Sequence, residues 1–84
     1  MVTKTQEDII QIICKALDVS ESQINLETIA NDISEWDSLG QINIIIALDE
    51  ALGGGLSEIE EMATAATIKE IIEVLRQRKK ISEL

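Results

Sequence analysis

Apolar residues recur at helical spacing in three separate segments of this chain. The last segment contains Ile68, Ile71, Ile72 and Leu75, at positions i, i+3, i+4 and i+7. Because an α-helix completes one turn in about 3.6 residues, this spacing places the four side chains on one face. Apolar and polar residues do not alternate anywhere as they do in a half-buried strand. The pattern predicts an all-α protein, a small four-helix bundle of three main helices plus one short helix.

Capping residues and glycines mark the predicted helix ends. Thr5 followed by Asp8, and Thr67 followed by Glu70, are typical of N-terminal caps. The glycines at 53–55 predict a flexible end to the second helix. The predicted helices cover, in chain order, residues 6–17, residues 38–52, one or two turns within 56–62, and a final segment that begins after Thr67.

The connection between the first two helices, residues 18–37, is unusually long. Connections longer than about 12 to 15 residues in compact domains tend to be functional, so this segment and the residues that follow it are candidates for a site. Five of its apolar residues are expected to anchor it on the core: Ile24, Leu26, Ile29, Ile33 and Trp36.

The core has to be built almost wholly from aliphatic side chains. The 84-residue chain contains neither Phe nor Tyr, and Trp36 is its one aromatic residue. A chain of this length buries only roughly 60 to 65% of the surface that it exposes when unfolded. We therefore expect one compact domain that spans residues 1–84.

The chain is strongly acidic, with a net charge of −9 at pH 7. Residues 1–75 contain three basic and fifteen acidic residues, whereas Arg76, Arg78, Lys79 and Lys80 gather at the C-terminal end of the last helix, where the helix dipole favours positive charge. An acidic surface repels nucleic acid and anionic lipid and attracts basic patches on other proteins. We expect basic protein partners, no nucleic acid, and a monomer in the absence of a partner.

Several classes of site lack their usual residues. The sequence has no histidine and a single cysteine, Cys14, so it offers neither the usual general base nor a disulfide, and we expect no catalytic residues and no metal site. Cys14 is interpreted as a core residue, and Asp32, Glu35 and Asp37 as a solvated acidic loop. No apolar run approaches the roughly 20 residues that span a bilayer, which favours a cytoplasmic protein without a membrane span.

The second helix carries two apolar stripes instead of one. Ile44, Ile45, Leu48 and Leu52 fall within an arc of about 100° that suits the core. The other stripe consists of Leu39, Ile42 and Ile46, with Asp49 on one flank and Asn43 and Glu50 on the other. By itself this pattern leaves two readings open: a docking face beside Ser38, or a stripe buried by a neighbouring segment with Asp37 or Ser38 as an ordinary helix cap.

The string Glu35-Trp36-Asp37-Ser38-Leu39-Gly40 resembles the attachment motif of the acyl carrier protein family, whose Asp-Ser-Leu triplet is matched by residues 37–39. The resemblance extends over nearly the whole chain: first helix, long loop, motif, second helix, short acidic helix, and a last helix capped by Thr. Ser34, with Asp37 three residues on, is a second candidate for the attachment serine or a capping residue, but it lacks the Leu that follows the serine in the motif.

The resemblance implies that Ser38 is the attachment site of a 4′-phosphopantetheine arm, which a phosphopantetheinyl transferase installs from coenzyme A. Asp37 and Leu39 would complete the cofactor-binding motif. Leu39, Ile42, Ile46, Asp49 and Glu50 would form the surface that binds partner enzymes, which load and process acyl groups and carry basic docking patches. The protein itself would be no enzyme, because the thiol of the arm, not Cys14, would carry the acyl thioester.

Other features depart from the fatty-acid type of the family. Gly40 and Asn43 stand where that type usually has acids, and three successive glycines replace a segment with one glycine and an aromatic residue. An aminoacyl carrier, of the D-alanyl or peptidyl type, is therefore an alternative to a carrier of fatty-acid, polyketide or another dedicated acyl pathway. An alternative of another class is an acidic helical interaction module without a prosthetic group.

Overall fold

The computed structural model describes residues 4–78, and in this range the chain forms four α-helices. They are α1 (Gln6–Leu17), α2 (Ser38–Leu52), α3 (Glu60–Thr64) and α4 (Ile68–Gln77). Within the described range there is no β-strand, and the only bridge of β type is an isolated antiparallel one between Ile29 and Thr67. The prediction of an all-α four-helix bundle with one short helix is confirmed.

Local hydrogen bonds explain where the first and last helices begin. The backbone N–H of Asp8 donates to Thr5 Oγ1 at 3.3 Å, and the N–H of Thr5 donates to Asp8 Oδ2 at 3.0 Å. This second bond lowers the pKa of the Asp8 carboxyl, because it stabilises the ionised form. At α4 the N–H of Glu70 donates to Thr67 Oγ1 at 3.0 Å. Both predicted N-terminal caps are confirmed.

The core is aliphatic, as the composition requires. The largest fully buried side chains are Ile9, Ile13, Ile44, Leu48, Leu56, Met62, Ile68, Ile71, Ile72 and Leu75. They come from all four helices and from the turn that precedes α3. Trp36, just before α2, is also buried in this cluster. No described helix is long and apolar enough to cross a membrane.

The long connection between α1 and α2 is held to the core at most of the predicted positions. It contains two 3₁₀-helical turns, Glu21–Gln23 and Ala30–Asp32. The side chains of Ile24 and Trp36 are buried, and those of Leu26 and Ile33 are partly buried against the core.

The prediction that Ile29 anchors the connection was wrong, because its side chain is 39% exposed. Here the backbone makes the contact instead. The N–H of Ala30 donates to the carbonyl oxygen of Ala66 at 2.7 Å, and the N–H of Ile68 donates to that of Thr28 at 3.2 Å. The paired backbone turns the Ile29 side chain outward, and periodicity cannot reveal a contact of this kind.

The turn after α2 depends on glycine and on Asp49. Gly53, Gly54 and Gly55 have φ angles of 88°, 97° and 91°, in the left-handed region that other residues rarely adopt. The N–H of Leu56 then donates to Asp49 Oδ1 at 2.8 Å, which fixes the start of the short 3₁₀ turn Leu56–Glu58. The turn brings α3 back against α2.

Candidate functional site

Ser38 is the first residue of α2, and its side chain is exposed. The cap of the helix is Asp37, whose Oδ1 accepts from the N–H of Gly40 at 2.8 Å. The carbonyl oxygen of Asp37 also accepts from the N–H of Gln41 at 2.8 Å. No described residue forms a hydrogen bond with the Ser38 hydroxyl, so this serine is not the helix cap. Its hydroxyl is available to another molecule.

Backbone donors lie beside this hydroxyl. The first N–H groups of an α-helix have no carbonyl partner within the helix. Asp37 satisfies the N–H of Gly40, which leaves those of Ser38 and Leu39 for water or for an anion. A helix N-terminus carries a partial positive charge, so a phosphodiester on Ser38 would be stabilised there. The geometry at this helix end fits the predicted group.

Gly40 permits a close contact with the residues that lead into α2, 35–38, which we call the Ser38 turn. The residue is buried, and a Cβ atom added to it would lie 2.2 Å from the carbonyl oxygen of Glu35 and 2.9 Å from Leu17 Cδ2. Only a residue without a Cβ lets α2 pack this closely against the backbone of Glu35 and against α1. In the sequence Gly40 stood out only as a position where the fatty-acid type of the family usually has an acid, whereas the structure gives it a packing role.

Sequence reasoning missed Gln41. Its Oε1 accepts from Trp36 Nε1–H at 2.6 Å, and its Nε2–H donates to the carbonyl oxygen of Met62 at 2.7 Å. Gln41 therefore joins the segment before α2 to α3. A signal was present in the sequence: at about 100° per residue, Gln41 falls between Leu48 and Leu52 within the arc of the core-facing stripe, and a polar side chain on that face needs hydrogen-bond partners.

The two apolar stripes of α2 differ in exposure. Ile44 and Leu48 are fully buried, and Ile45 and Leu52 are partly buried against the core. Leu39, Ile42 and Ile46 are 66%, 53% and 52% exposed. These three residues, which we call the exposed stripe, begin next to Ser38 and continue along the helix. Of the two readings that the pattern left open, the exposures support an exposed face beside Ser38 and not a stripe buried by a neighbouring segment.

The charged neighbours of the exposed stripe are acidic. Between residues 16 and 68 the sequence contains eleven acidic residues and no basic ones. Glu50 is exposed, whereas Asp49 is partly buried and uses Oδ1 to hold the turn after α2. Asp49 thus has a structural function, and a role of either carboxylate in binding a partner stays a prediction.

The acidic residues of the long connection do not assemble into a metal site. Among the described residues there is no group of three or more His, Cys, Asp or Glu side chains that could hold a metal ion. The connection does contain an open groove of about 420 Å³. It is lined by Gln23, Asn25, Glu27, Thr28, Asp32 and Ile33, and so does not include Ser38.

Cys14 lies in the core, with an exposure of 3%. Burial, reinforced by the nearby charge of Glu21, raises the pKa of its thiol. Since the thiolate is the reactive form, Cys14 should be a poor nucleophile in the folded protein. We expect a maleimide at pH 8 to modify it on the order of 100-fold more slowly in the native protein than in urea, because reaction requires opening of the core. Mass spectrometry of timed samples measures both rates, and similar rates would contradict the burial of this thiol.

Comparisons with protein-family models, with curated proteins and with solved structures find no match to this chain.

Proposed function

We propose that this protein is an acyl carrier protein, which carries acyl groups as thioesters on a 4′-phosphopantetheine arm attached to Ser38. The observation that carries the proposal is the state of Ser38: it is exposed, it is not the helix cap, and it lies at the start of α2. The Asp-Ser-Leu motif of residues 37–39 supports the same site.

Each residue of the motif has a distinct part in the proposed site. Ser38 would supply the hydroxyl oxygen that attacks the phosphorus on the pantetheine side of the diphosphate of coenzyme A, so that the phosphodiester forms as the diphosphate bond breaks, adenosine 3′,5′-bisphosphate leaves, and the transferase takes up the hydroxyl proton. Asp37 holds the first turn of α2 through its bond to Gly40, and this cap leaves the N–H groups of Ser38 and Leu39 for the phosphodiester at the same helix end. When bound, the arm supplies a terminal thiol that carries the acyl group. No residue of the chain has to act as an acid or a base, which agrees with the absence of histidine from the sequence.

The exposed stripe supports transient docking of partner enzymes. Its three aliphatic side chains are more than half exposed and lie in an acidic surrounding, which suits an apolar contact rimmed by basic groups on the partner. The transferase that modifies Ser38 and the enzymes that load and process the acyl group would use this surface in turn. Electrostatic attraction would speed these encounters without making them long-lived.

Incubation with coenzyme A, Mg²⁺ and a broad-specificity phosphopantetheinyl transferase tests the proposal. We expect intact-mass spectrometry to show the gain of one phosphopantetheinyl group. Ser38→Ala should abolish this gain and remain folded, because Asp37 caps the helix. Ser34→Ala is the matched control, because Ser34 is also an exposed serine and lies four residues before Ser38. Its side chain donates only to its neighbour Glu35, so this replacement should not disturb the fold.

The outcomes separate the proposed carrier from other proteins. If the folded wild type gains no group, the carrier proposal is wrong, and an interaction module that uses the exposed stripe becomes the better reading. If Ser38→Ala is still modified, the attachment site is wrong. A wild type and Ser34→Ala variant that are modified at equal rates, with no modification of Ser38→Ala, would establish Ser38 as the site.

A further inference from the structure

The side-chain amide of Gln41 connects two segments that are far apart in the sequence. Its oxygen accepts from the indole N–H of Trp36, five residues earlier, and its nitrogen donates to the carbonyl oxygen of Met62, 21 residues later. The two bonds are 2.6 and 2.7 Å long, and both are partly buried. Because an amide presents an oxygen and a nitrogen in fixed relative positions, one side chain fixes both partners at once.

On the α3 side, Gln41 supplies the hydrogen bond to the Met62 carbonyl that the short helix cannot make by itself. In a continuous helix the carbonyl of Met62 would accept from the N–H of Ala66, but α3 ends at Thr64. The N–H of Ala66 donates to Glu70 Oε1 instead, at 3.4 Å. Gln41 therefore satisfies a carbonyl at the C-terminal end of α3. The Met62 side chain is itself buried, so this carbonyl has a fixed position against α2.

On the other side the bond holds the segment that leads to Ser38. Trp36 is 5% exposed, and a buried indole N–H without an acceptor would be costly. The backbone N–H of Trp36 donates to the carbonyl oxygen of Ile33 at 3.0 Å, which fixes its main chain as well. Trp36 is separated from Ser38 only by the helix cap, Asp37. The bonds to the indole and to the backbone N–H of Trp36 therefore restrain the chain directly before the cap of α2.

We propose that Gln41 is a positioning residue for Ser38, because it fastens Trp36, and with it the turn that carries Ser38, to the C-terminal end of α3. When α3 moves away, the turn at Ser38 therefore becomes less well ordered. Gln41 does not contact Ser38 and has no part in the chemistry. The consequence for modification of Ser38 rests on the proposed function, whereas the link between α3 and the turn does not.

Two substitutions of Gln41 distinguish the loss of one of its hydrogen bonds from the loss of both. Gln41→Glu keeps an oxygen that can accept from the indole of Trp36 but loses the donor to Met62. Gln41→Met has a similar length and loses both bonds. Asn43→Ala is the control, since Asn43 is exposed on the same helix.

The first measurement is amide hydrogen exchange in the apo protein, with the amides of α1 as the reference for global stability. We expect Gln41→Glu to accelerate exchange at the N–H groups of Met62, Gly40 and Gln41 by roughly fivefold to tenfold relative to α1, the factor that loss of one hydrogen bond implies. Gln41→Met should have an equal or larger effect, and Asn43→Ala none. Acceleration confined to α3, or equal acceleration in every helix, would overturn the proposed link.

The second measurement is the kinetics of phosphopantetheinyl transfer, at a temperature where circular dichroism shows every variant to be folded. Because the transferase would have to order the loosened turn when it binds, we expect both variants to raise KM by roughly threefold to tenfold and to leave kcat within about twofold. An unchanged KM would refute positioning of Ser38. If the wild type is not modified at all, the carrier proposal fails, and hydrogen exchange still decides whether Gln41 links α3 to the turn.

Discussion

Replacement of Ile44 by alanine is expected to lower the free energy of unfolding by about 3 kcal/mol, whereas the same replacement of Ile46 should change it by less than about 1 kcal/mol. Both residues belong to α2, but Ile44 is fully buried and Ile46 is 52% exposed. Truncation of Ile44 removes buried methyl groups and leaves a cavity. At Ile46 the small loss of burial is offset by the higher helix propensity of alanine.

Urea denaturation followed by circular dichroism measures both changes in one experiment. Because the two substitutions are chemically identical, the difference between them reports burial alone. Equal losses of stability would show that the exposed stripe is covered in the folded protein, which would remove the basis for docking at this face. If Ile46→Ala is as stable as expected, it becomes a folded variant in which binding of partner enzymes can be tested.

Gly40→Ala is expected to destabilise the protein by about 2 kcal/mol, although alanine is the better helix former by about 1 kcal/mol. The added Cβ would collide with the carbonyl oxygen of Glu35, 2.2 Å away, and this backbone atom cannot move aside without distorting the Ser38 turn. The collision with Leu17 Cδ2 is milder, because a side chain can rotate. Steric strain therefore outweighs the gain in helix propensity.

The midpoint of urea denaturation measures this loss, with Asn43→Ala as the control on the same helix. Asn43 is exposed, so its replacement by alanine should be neutral or slightly stabilising. A Gly40→Ala variant as stable as the wild type would mean that the turn does not pack against α2 as described. Gly40 would then differ from the fatty-acid type of the family only in the absence of an acidic side chain.

Much of the fold was predictable because its determinants are local. A cap such as Thr5 with Asp8 involves residues three positions apart, and the core stripe of α4 repeats within every turn. The glycines after α2 end the helix because glycine readily adopts left-handed φ angles, and this too depends only on the residue type. The predicted bounds of α1 and α2 accordingly agree with those in the structure.

The contacts between segments could not be predicted in this way. Ile29 was expected in the core, but backbone pairing across 36 to 40 residues of sequence directs its side chain outward. Gln41 lies on the core-facing side of α2, but short-range spacing does not identify its partners, which lie five residues before it and 21 residues after it. The resemblance assigned Asp49 to the docking surface, whereas its bond to Leu56 depends on the path of the turn after α2 and is visible only in the structure.

The helices, the aliphatic core, the acidic surface and the motif at Ser38 could be predicted, because each depends on residue type and short-range spacing. The folded structure was needed to show which apolar stripe of α2 is covered and whether Ser38 or Asp37 serves as the helix cap. It was also needed to show what Gly40 and Gln41 contact. Periodicity can show that a helix has two apolar faces, but exposure depends on where the other helices lie, and that is set by packing between residues distant in the chain.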